Sequence, residues 1–322
     1  MIYLPNVRGQ IKKSFPLSTI SWLKVGGPAD ILFKPVDLLD LQKFMRQIDK
    51  KVPIFVLGAC SNLIIRDGGI EGICIKLGKE FNEIVIRDDG LVSAGAGCLG
   101  SHVATKAAAA GFDLTFLRTI PGTIGGAVYM NAGCYDQYVK DVFVSAQFVS
   151  DEGLLKTLYA EELDFSYRRS NIPHRWVLIN ALFKPSIFDP KALSSKMNDM
   201  IKLRDKTQPR GELCCGSAFR NPSGKVSSGK SDQTNEFKAW KIIDDAGLRG
   251  VKLGGAQVST KHSNFLINTG NASSADLEEL GENVRRDVFK HSGIKLEWEI
   301  KIIGNKSSIF NKMPEPHAVL IK

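Results

Sequence analysis

The sequence predicts a mixed helix-and-strand protein of two or three domains. Three observations carry this. The chain has 322 residues, enough for two or three domains with proper cores. Its first half repeats one unit, a short apolar strand followed by a turn rich in glycine and serine. Its second half carries stretches with apolar residues at helical spacing and one stretch that alternates apolar and charged residues.

In the first half, "VPIFVLGACSNLIIRDGG" has a β-branched apolar run that ends at Gly58. "LVSAGAGCLGSHVATKAAAAG" begins as a strand, passes through a glycine cluster and continues as an Ala-rich helix stopped by Gly111. "LRTIPGTIGGAVYMNAGCYD" carries Gly122, Gly125, Gly126 and Gly133. Each turn can aim several backbone N–H groups at one point, which suits a pyrophosphate. Three such loops in succession favour a shared ligand over simple strand connections.

In the second half, "NEFKAWKIIDDAG" predicts a helix with Phe237, Trp240 and Ile243 on its apolar face and a stop at Gly247. "SSADLEELGENVRRDVFKHSG" predicts another. Ser273 and Asp276 form a capping box there, and Leu277, Leu280, Val284 and Val288 repeat at helical spacing before Gly293. "IKLEWEIKII" alternates Ile294, Leu296, Trp298, Ile300 and Ile302 with charged residues, the pattern of a strand with one buried and one polar face. Glu297 and Glu299 then point the same way. That face is either solvated or the lining of a cleft, and Arg168 and Arg169 in "FSYRRSNIPHRW" pose the same choice.

Composition narrows the function. With 43% hydrophobic and 24% charged residues the chain is globular in type. No apolar run approaches the ~18 residues of a membrane span. The first 25 residues lack the apolar core and small-residue cleavage site of a signal peptide, so a cytoplasmic protein is expected. Six scattered cysteines without a C-x-x-C pair, and five histidines without an H-x-x-x-H pair, argue against a disulfide framework and a metal site. The net charge is +9, but the basic residues form no dense block and no aromatics are interleaved with them. An anionic small molecule or solvated lysines therefore account for the charge better than nucleic acid.

Two motifs look more informative than they are. Gly95-Ala-Gly-Cys-Leu-Gly100 matches G-x-G-x-x-G, but no apolar strand ending in an acidic residue follows. Gly224-Lys-Val-Ser-Ser-Gly-Lys230-Ser231 fits the P-loop pattern, yet "FRNPS" precedes it where a buried strand is needed, so it reads as a polar loop. In "LCCGSAFRNP" a thiol of Cys214 or Cys215 is the first guess for a nucleophile.

Seven stretches taken together resemble a known family. They are "TISWLKVGGPADILFKP", "VLGACSNLIIRDGGIEGICIKL", "IPGTIGGAVYMNAGCYD", "FSYRRS", "CGSAFRNP", "AGLRGVKLGGAQVSTKHSNFLIN" and "LEWEIKIIG". In this order they resemble the UDP-N-acetylmuramate dehydrogenases, also called UDP-N-acetylenolpyruvoylglucosamine reductases, over about residues 18 to 304. The resemblance implies an α+β chain with the two-subdomain FAD-binding fold of the p-cresol methylhydroxylase type. Residues 1–76 with 300–322 would form the first subdomain and residues 77–190 the second. Residues 205–299 would form a C-terminal α/β substrate-binding domain.

The resemblance also implies cofactors and roles. FAD would lie against Gly58, Ala59, Cys60, Ser61, Asn62, Pro121, Gly122, Thr123, Gly125 and Gly126, with Arg204 facing its pyrophosphate. Ala59 and Cys60 stand where glycines are usual in the family. NADPH would be the electron donor and an enolpyruvyl ether of a UDP-sugar the substrate. Arg168 and Glu299 would stabilise an enolate, and Ser217 would protonate the carbon. A guanidinium suits an enolate because it binds a carboxylate bidentately and keeps its charge. A hydroxyl beside a flavin avoids the side reactions that a thiol invites, which favours Ser217 over Cys214 and Cys215. Tyr167 and Asn221 would meet the substrate, and His262 and Asn264 lie in a stretch matching another substrate contact, where each is either that contact or a packed polar residue. The short separation of Arg168 and Ser217 matches the subtype without an inserted tyrosine loop. A monomer is expected, with no nucleic-acid or membrane partner and no metal. The rival readings are a P-loop hydrolase using Lys230, a non-catalytic flavin- or nucleotide-binding protein, and an oxidoreductase of the same fold with another substrate.

Overall fold

The computed structural model describes residues 2–225 and 237–307. The N-terminal part runs β1 Gln10–Pro16, β2 Pro28–Lys34, α1 Leu38–Gln47, β3 Ile54–Val56, β4 Leu63–Ile65 and β5 Ile70–Ile75. Four of its strands form one sheet in the order β1-β2-β5-β3, antiparallel at β1 and parallel elsewhere. Interior β2 is covered on both faces, which its near-continuous apolar sequence requires. Ile31 and Phe33 face α1, where Phe33 stacks on Phe44 with ring centroids 4.0 Å apart, while Ala29 and Leu32 face a second cluster with Leu57 and Cys60. Asp37 starts α1 by accepting from the Asp40 N–H at 2.9 Å.

The middle part adds β6 Ile84–Ile86, β7 Val92–Gly95, α2 Gly100–Ala109, α3 Ile124–Tyr129, β8 Gly133–Cys134, β9 Gln137–Tyr138, β10 Phe143–Val149, β11 Leu155–Tyr159, β12 Val177–Phe183 and α4 Pro190–Thr207. Its antiparallel sheet has the order β11-β10-β12-β7-β6, and α2, α3 and α4 pack on it through small and apolar residues such as Ala104, Ala107, Val128 and Met197. Val149, Val177 and Ile179 meet α1 from this side, so α1 lies between the two sheets. Asp189 caps α4 and Pro190 occupies its first turn, where a missing N–H costs nothing.

The C-terminal part contains β13 Leu213–Cys214, α5 Ala239–Asp245, β14 Lys252–Leu253, β15 Ala256–Val258, β16 Leu266–Asn268, α6 Ser274–Ser292 and β17 Lys301–Ile303. The sheet β13-β16-β15-β14 packs against α5 and α6. The capping box of Ser273 and Asp276 forms, Leu277, Leu280, Val284 and Val288 are buried, and Gly293 ends α6 at φ 71°. This core also takes in Leu23, Val25 and Ile64 of the N-terminal part, and β17 pairs in parallel with β4.

Two sequence expectations change. The α5 helix begins at Ala239, and Phe237 lies outside it, 57% exposed. The Asn221 side chain accepts from the Ala239 N–H at 3.1 Å and fixes the start there. Residues 294–302 do not form one strand. Trp298 makes an isolated bridge to Phe219, and only Lys301–Ile303 is a regular strand, because the segment passes from one short partner to another. Glu297 and Glu299 part company as a result. The Glu297 side chain is 74% exposed beside Arg220, whereas that of Glu299 is 12% exposed. Of the P-loop-like stretch, residues 226–231, Lys230 and Ser231 included, lie outside the described residues.

Candidate active site

Two loops define the cofactor side. Residues 58–62 follow β3, and residues 119–123 lead into α3. The Ser61 hydroxyl donates to Pro121 O at 2.9 Å and joins them. Among the described residues, no chain acceptor meets the backbone N–H groups of Gly58, Ala59, Cys60, Ser61 or Asn62. Cys60 holds φ 55°, which turns the run into a concave set of donors. A Cβ on Gly58 would stand 2.6 Å from Thr123 Oγ1, and Gly122 has φ +135°, so both loops need glycine to approach each other this closely. Neither loop carries an acidic side chain. This donor-rich, acid-free cradle fits the diphosphate of FAD.

The G-x-G-x-x-G turn supports the cradle from behind. It does run from β7 into α2, but its donors are used inside the chain. Gly95 donates to Glu83 O, Gly97 to Phe81 O and Gly100 to Gly122 O. Likewise, the Gly125 N–H is taken by Ala96 O and the Gly126 N–H faces Thr123 Oγ1 at 3.4 Å. Arg204 donates to Thr119 O at 2.5 Å and to Gln208 Oε1 at 3.2 Å, so it braces the second loop from α4.

The catalytic candidates meet beside this cradle. Residues 166–169 form a tight turn closed by reciprocal backbone bonds between Ser166 and Arg169. Arg168 sits in it at φ 57°, a conformation that costs a side-chain-bearing residue about 1–3 kcal/mol and concentrates at functional sites. Its Nε donates to Glu299 Oε1 at 2.7 Å and its Nη1 to Gly133 O at 3.2 Å. Nη2 has no partner among the described residues. Gly133 is presented by the β8–β9 hairpin, whose turn residues Tyr135 and Asp136 both have positive φ. The Arg168 and Glu299 side chains are 14% and 12% exposed. Burial pushes the Glu299 carboxyl above its ordinary range, and Arg168 offsets part of that rise. Tyr167 lies under the Arg168 guanidinium, 5.3 Å from its ring centre. Burial, then the Glu299 charge, pushes its hydroxyl up to about 12.

Ser217 reaches this pair through its neighbour. Ala218 O accepts from the Glu299 N–H at 2.8 Å, and the Arg220 N–H donates to Glu297 O at 2.8 Å. Ser217 is half-buried, and its hydroxyl has no hydrogen-bond partner among the described residues. The adjacent cysteines are structural. Cys215 is buried with its thiol toward Leu63 O, and burial pushes Cys214 up to about 11 and Cys215 up to about 12. Both stay protonated at neutral pH and are poor nucleophiles.

The proposed substrate contacts separate from this centre in different ways. Asn221 bonds Lys225 O and the Ala239 N–H. Asn264 is 3% exposed and bonds the Phe219 backbone. His262 packs on Phe265 and Trp240, and its Nδ1 accepts from the Asn264 N–H at 3.3 Å. Burial lowers His262 to about 4.

Asn62, expected on the cofactor side, also donates from its side chain to Glu299 O at 3.1 Å, linking the cofactor loop to the acid. Three participants were not singled out from the sequence. Lys76 donates to Gly58 O at 2.5 Å from beneath that loop. Arg220 adds positive charge near Glu299, and its Nε is buried without a partner among the described residues, while the pKa of Lys301 is lowered by burial and by the charges of Arg220 and Arg169. The alternation around Lys301 and the position of Arg220 in "FRNP" were the available signals. No group of metal-ligating side chains occurs among the described residues.

Residues 29–159 match the FAD binding domain family, and residues 208–303 match the C-terminal domain family of UDP-N-acetylenolpyruvoylglucosamine reductase. The UDP-N-acetylenolpyruvoylglucosamine reductase of Ruegeria pomeroyi is 54% identical over 305 residues, covering 95% of this chain and 99% of that protein. That of Paracoccus denitrificans is 51% identical over 301 residues, covering 94% and 98%. The crystal structure of UDP-N-acetylenolpyruvylglucosamine reductase (MurB) from Thermus caldophilus superposes with a TM-score of 0.76 at 29% identity, over 92% of this chain and 99% of that one. The 6-hydroxy-D-nicotine oxidase of Arthrobacter nicotinovorans shares the fold alone, with a TM-score of 0.53 at 10% identity over 90% and 88% of the two chains. The fold is therefore α+β, a p-cresol methylhydroxylase-type FAD-binding fold followed by a further C-terminal domain. Since both family models match in chain order and relatives above half identity align over nearly their whole length, this chain belongs to the UDP-N-acetylenolpyruvoylglucosamine reductase family of flavin-dependent oxidoreductases.

Proposed function

We propose that this protein reduces UDP-N-acetylglucosamine-enolpyruvate to UDP-N-acetylmuramate, a peptidoglycan precursor, with NADPH as the electron donor. The observation that carries the reading is the buried Arg168–Glu299 pair, held next to the Ser217 segment at the edge of the flavin cradle. FAD, held by the two loops and reduced by NADPH, would supply the hydride that adds to the terminal vinyl carbon of the substrate.

The chain's own groups handle the charge that this addition leaves beside the substrate carboxylate. Arg168 offers Nη2 to the carboxylate oxygens while Glu299 and Gly133 fix the guanidinium plane. Glu299, with its pKa raised by burial, holds a proton more readily than an exposed carboxyl and shares it with a developing enol oxygen. Ser217 then gives its proton to the carbon. A hydroxyl is a weak acid, and positive charge such as that of Arg220 in the same segment would favour the alkoxide that remains. Tyr167 packs against the Arg168 guanidinium and stays protonated throughout.

The test is an anaerobic visible spectrum of the purified protein. NADPH should bleach the flavin band, and the enolpyruvyl sugar nucleotide should restore it. A band that bleaches and does not return overturns the substrate assignment. A protein that shows no flavin band after reconstitution with FAD overturns the whole reading.

A further inference from the structure

We infer that Asn264 is a positioning residue for Ser217, acting through the backbone of Ala218 and Phe219 rather than by touching substrate. The inference rests on the proton-donor role proposed above for Ser217.

The segment after Cys215 has little regular structure to hold it. Its only described strand pairing is the isolated bridge between Phe219 and Trp298. On that edge, Ala218 O takes the Glu299 N–H, and the Arg220 N–H goes to Glu297 O. The opposite edge has no strand. Asn264 fills the gap. Its Oδ1 accepts from the Phe219 N–H at 2.9 Å, and its Nδ2 donates to Phe219 O at 2.9 Å. Its own backbone O accepts from the Ala218 N–H at 2.8 Å.

A carboxamide can present one N–H and its carbonyl oxygen side by side in one plane, as a strand residue presents its own N–H and C=O to a neighbouring strand. The Asn264 side chain therefore stands in for one residue of a neighbouring strand. Ala218 and Phe219 are gripped from both edges, with the Glu299 strand on one side and Asn264 on the other. Ser217 is the next residue along, so its hydroxyl and the Glu299 carboxyl are placed by one continuous set of bonds. Asn264 is 3% exposed and both ends of its amide are engaged, which leaves no face for a substrate. Proton transfer to carbon needs the donor placed to within about an ångström, and misplacement on that scale costs about 10²-fold in rate.

The experiment is a double-mutant cycle on the FAD-loaded full chain, read by stopped-flow. The single variants are Ser217→Ala and Asn264→Ala. Asn264→Asp is the second probe of the site, because it keeps the volume and the acceptor for the Phe219 N–H while losing the donor to Phe219 O. Flavin reduction by NADPH serves as the internal control for folding and cofactor binding. We expect Asn264→Ala and Asn264→Asp to reduce with NADPH at the normal rate. Reoxidation by the enolpyruvyl sugar nucleotide should slow by about 10²-fold in Asn264→Ala, at saturating substrate with unchanged substrate affinity. Adding either substitution to Ser217→Ala should slow reoxidation no further, because the group being positioned is already gone.

Three results overturn the inference. The Asn264 substitution can slow Ser217→Ala by as much as it slows wild type. It can weaken substrate affinity at an unchanged saturating rate, which marks a direct contact. It can leave reoxidation in the wild-type background unaffected. Normal reoxidation in Ser217→Ala overturns the proton-donor role itself, and this inference with it, so the two failures are told apart by the single variants.

Discussion

At the residue scale, the active centre depends on a few groups held in costly states. Arg168 sits in left-handed backbone, and Glu299 is a carboxyl buried against it. Strain and desolvation at these positions are offset by the rest of the fold, and they fix a guanidinium and an acid side by side, where the proposed reaction would place an enolate. Ser217→Ala should leave flavin reduction by NADPH intact and slow reoxidation by substrate by about 10²- to 10⁴-fold, measured by stopped-flow absorbance. Near-normal turnover would remove Ser217 from the mechanism. His262 gives a pH prediction away from the chemistry. Burial lowers its pKa from 6.5 to about 4, so the folded state binds its proton less tightly than the unfolded state does. Its contribution is complete above pH 6.5 and is lost as pH falls from there toward 4, by at most about 3 kcal/mol. Urea titrations across that window should show a steeper loss of stability in the wild type than in His262→Gln.

At the element scale, α6 fixes the approach to Glu299. Gly281 faces the Trp298 indole, and a Cβ there would stand 2.0 Å from its ring. The ring has little freedom to move, because Trp298 Nε1 donates to Glu282 Oε1 at 2.7 Å and the ring packs on Phe219 at 4.8 Å. Phe219 adjoins Ala218, and Trp298 adjoins Glu299, so both edges of the Ser217 segment lean on this contact. Gly281→Ala should destabilise the protein by about 1–3 kcal/mol in urea unfolding, although alanine is the better helix former. It should also slow flavin reoxidation by the sugar nucleotide more than reduction by NADPH. Unchanged stability would mean that the indole has another low-energy place to go.

At the scale of the whole molecule, the parts are joined where the site lies. Arg66 makes a two-pronged pair with Glu278 at 2.7 and 2.8 Å, and the Asp67 carboxylate accepts from the Ser274 and Ala275 N–H groups at the start of α6. Asn268 donates to Leu23 O at 2.8 Å in the buried seam, and Ser61 joins the two cofactor loops. Donors in residues 58–62 that meet no chain acceptor among the described residues make this junction the part whose stability should respond most to the cofactor. Removing FAD should lower the melting temperature, and restoring it at 100 times its Kd should add about 2.7 kcal/mol. Hydrogen exchange should show the added protection at residues 58–62 ahead of the C-terminal sheet. A melting temperature indifferent to FAD would contradict the cradle.

Local chemistry was legible in the sequence, and the assembled centre was only partly so. The capping box of Ser273, the αL stop at Gly293 and the buried face of α6 depend on neighbours within a few residues, so spacing alone determines them. The glycine turns showed in the same way, because close backbone approach leaves no room for a Cβ. Resemblance brought Arg168, Glu299 and Ser217 into one reading, but alternation alone paired Glu299 with Glu297. The resemblance picked Glu299, but only the tertiary structure gave the two glutamates different burial, since the bridge to Phe219 and the Asn62 contact come from distant segments. The start of α5 was decided the same way, by Asn221 reaching across to Ala239. The work of Asn264 was hidden for the same reason. A carboxamide replacing a strand is defined by the backbone it meets, and that backbone lies 45 residues away in the chain. What a residue does with its near neighbours is written in the sequence, while the partner that decides burial and charge is chosen by the fold.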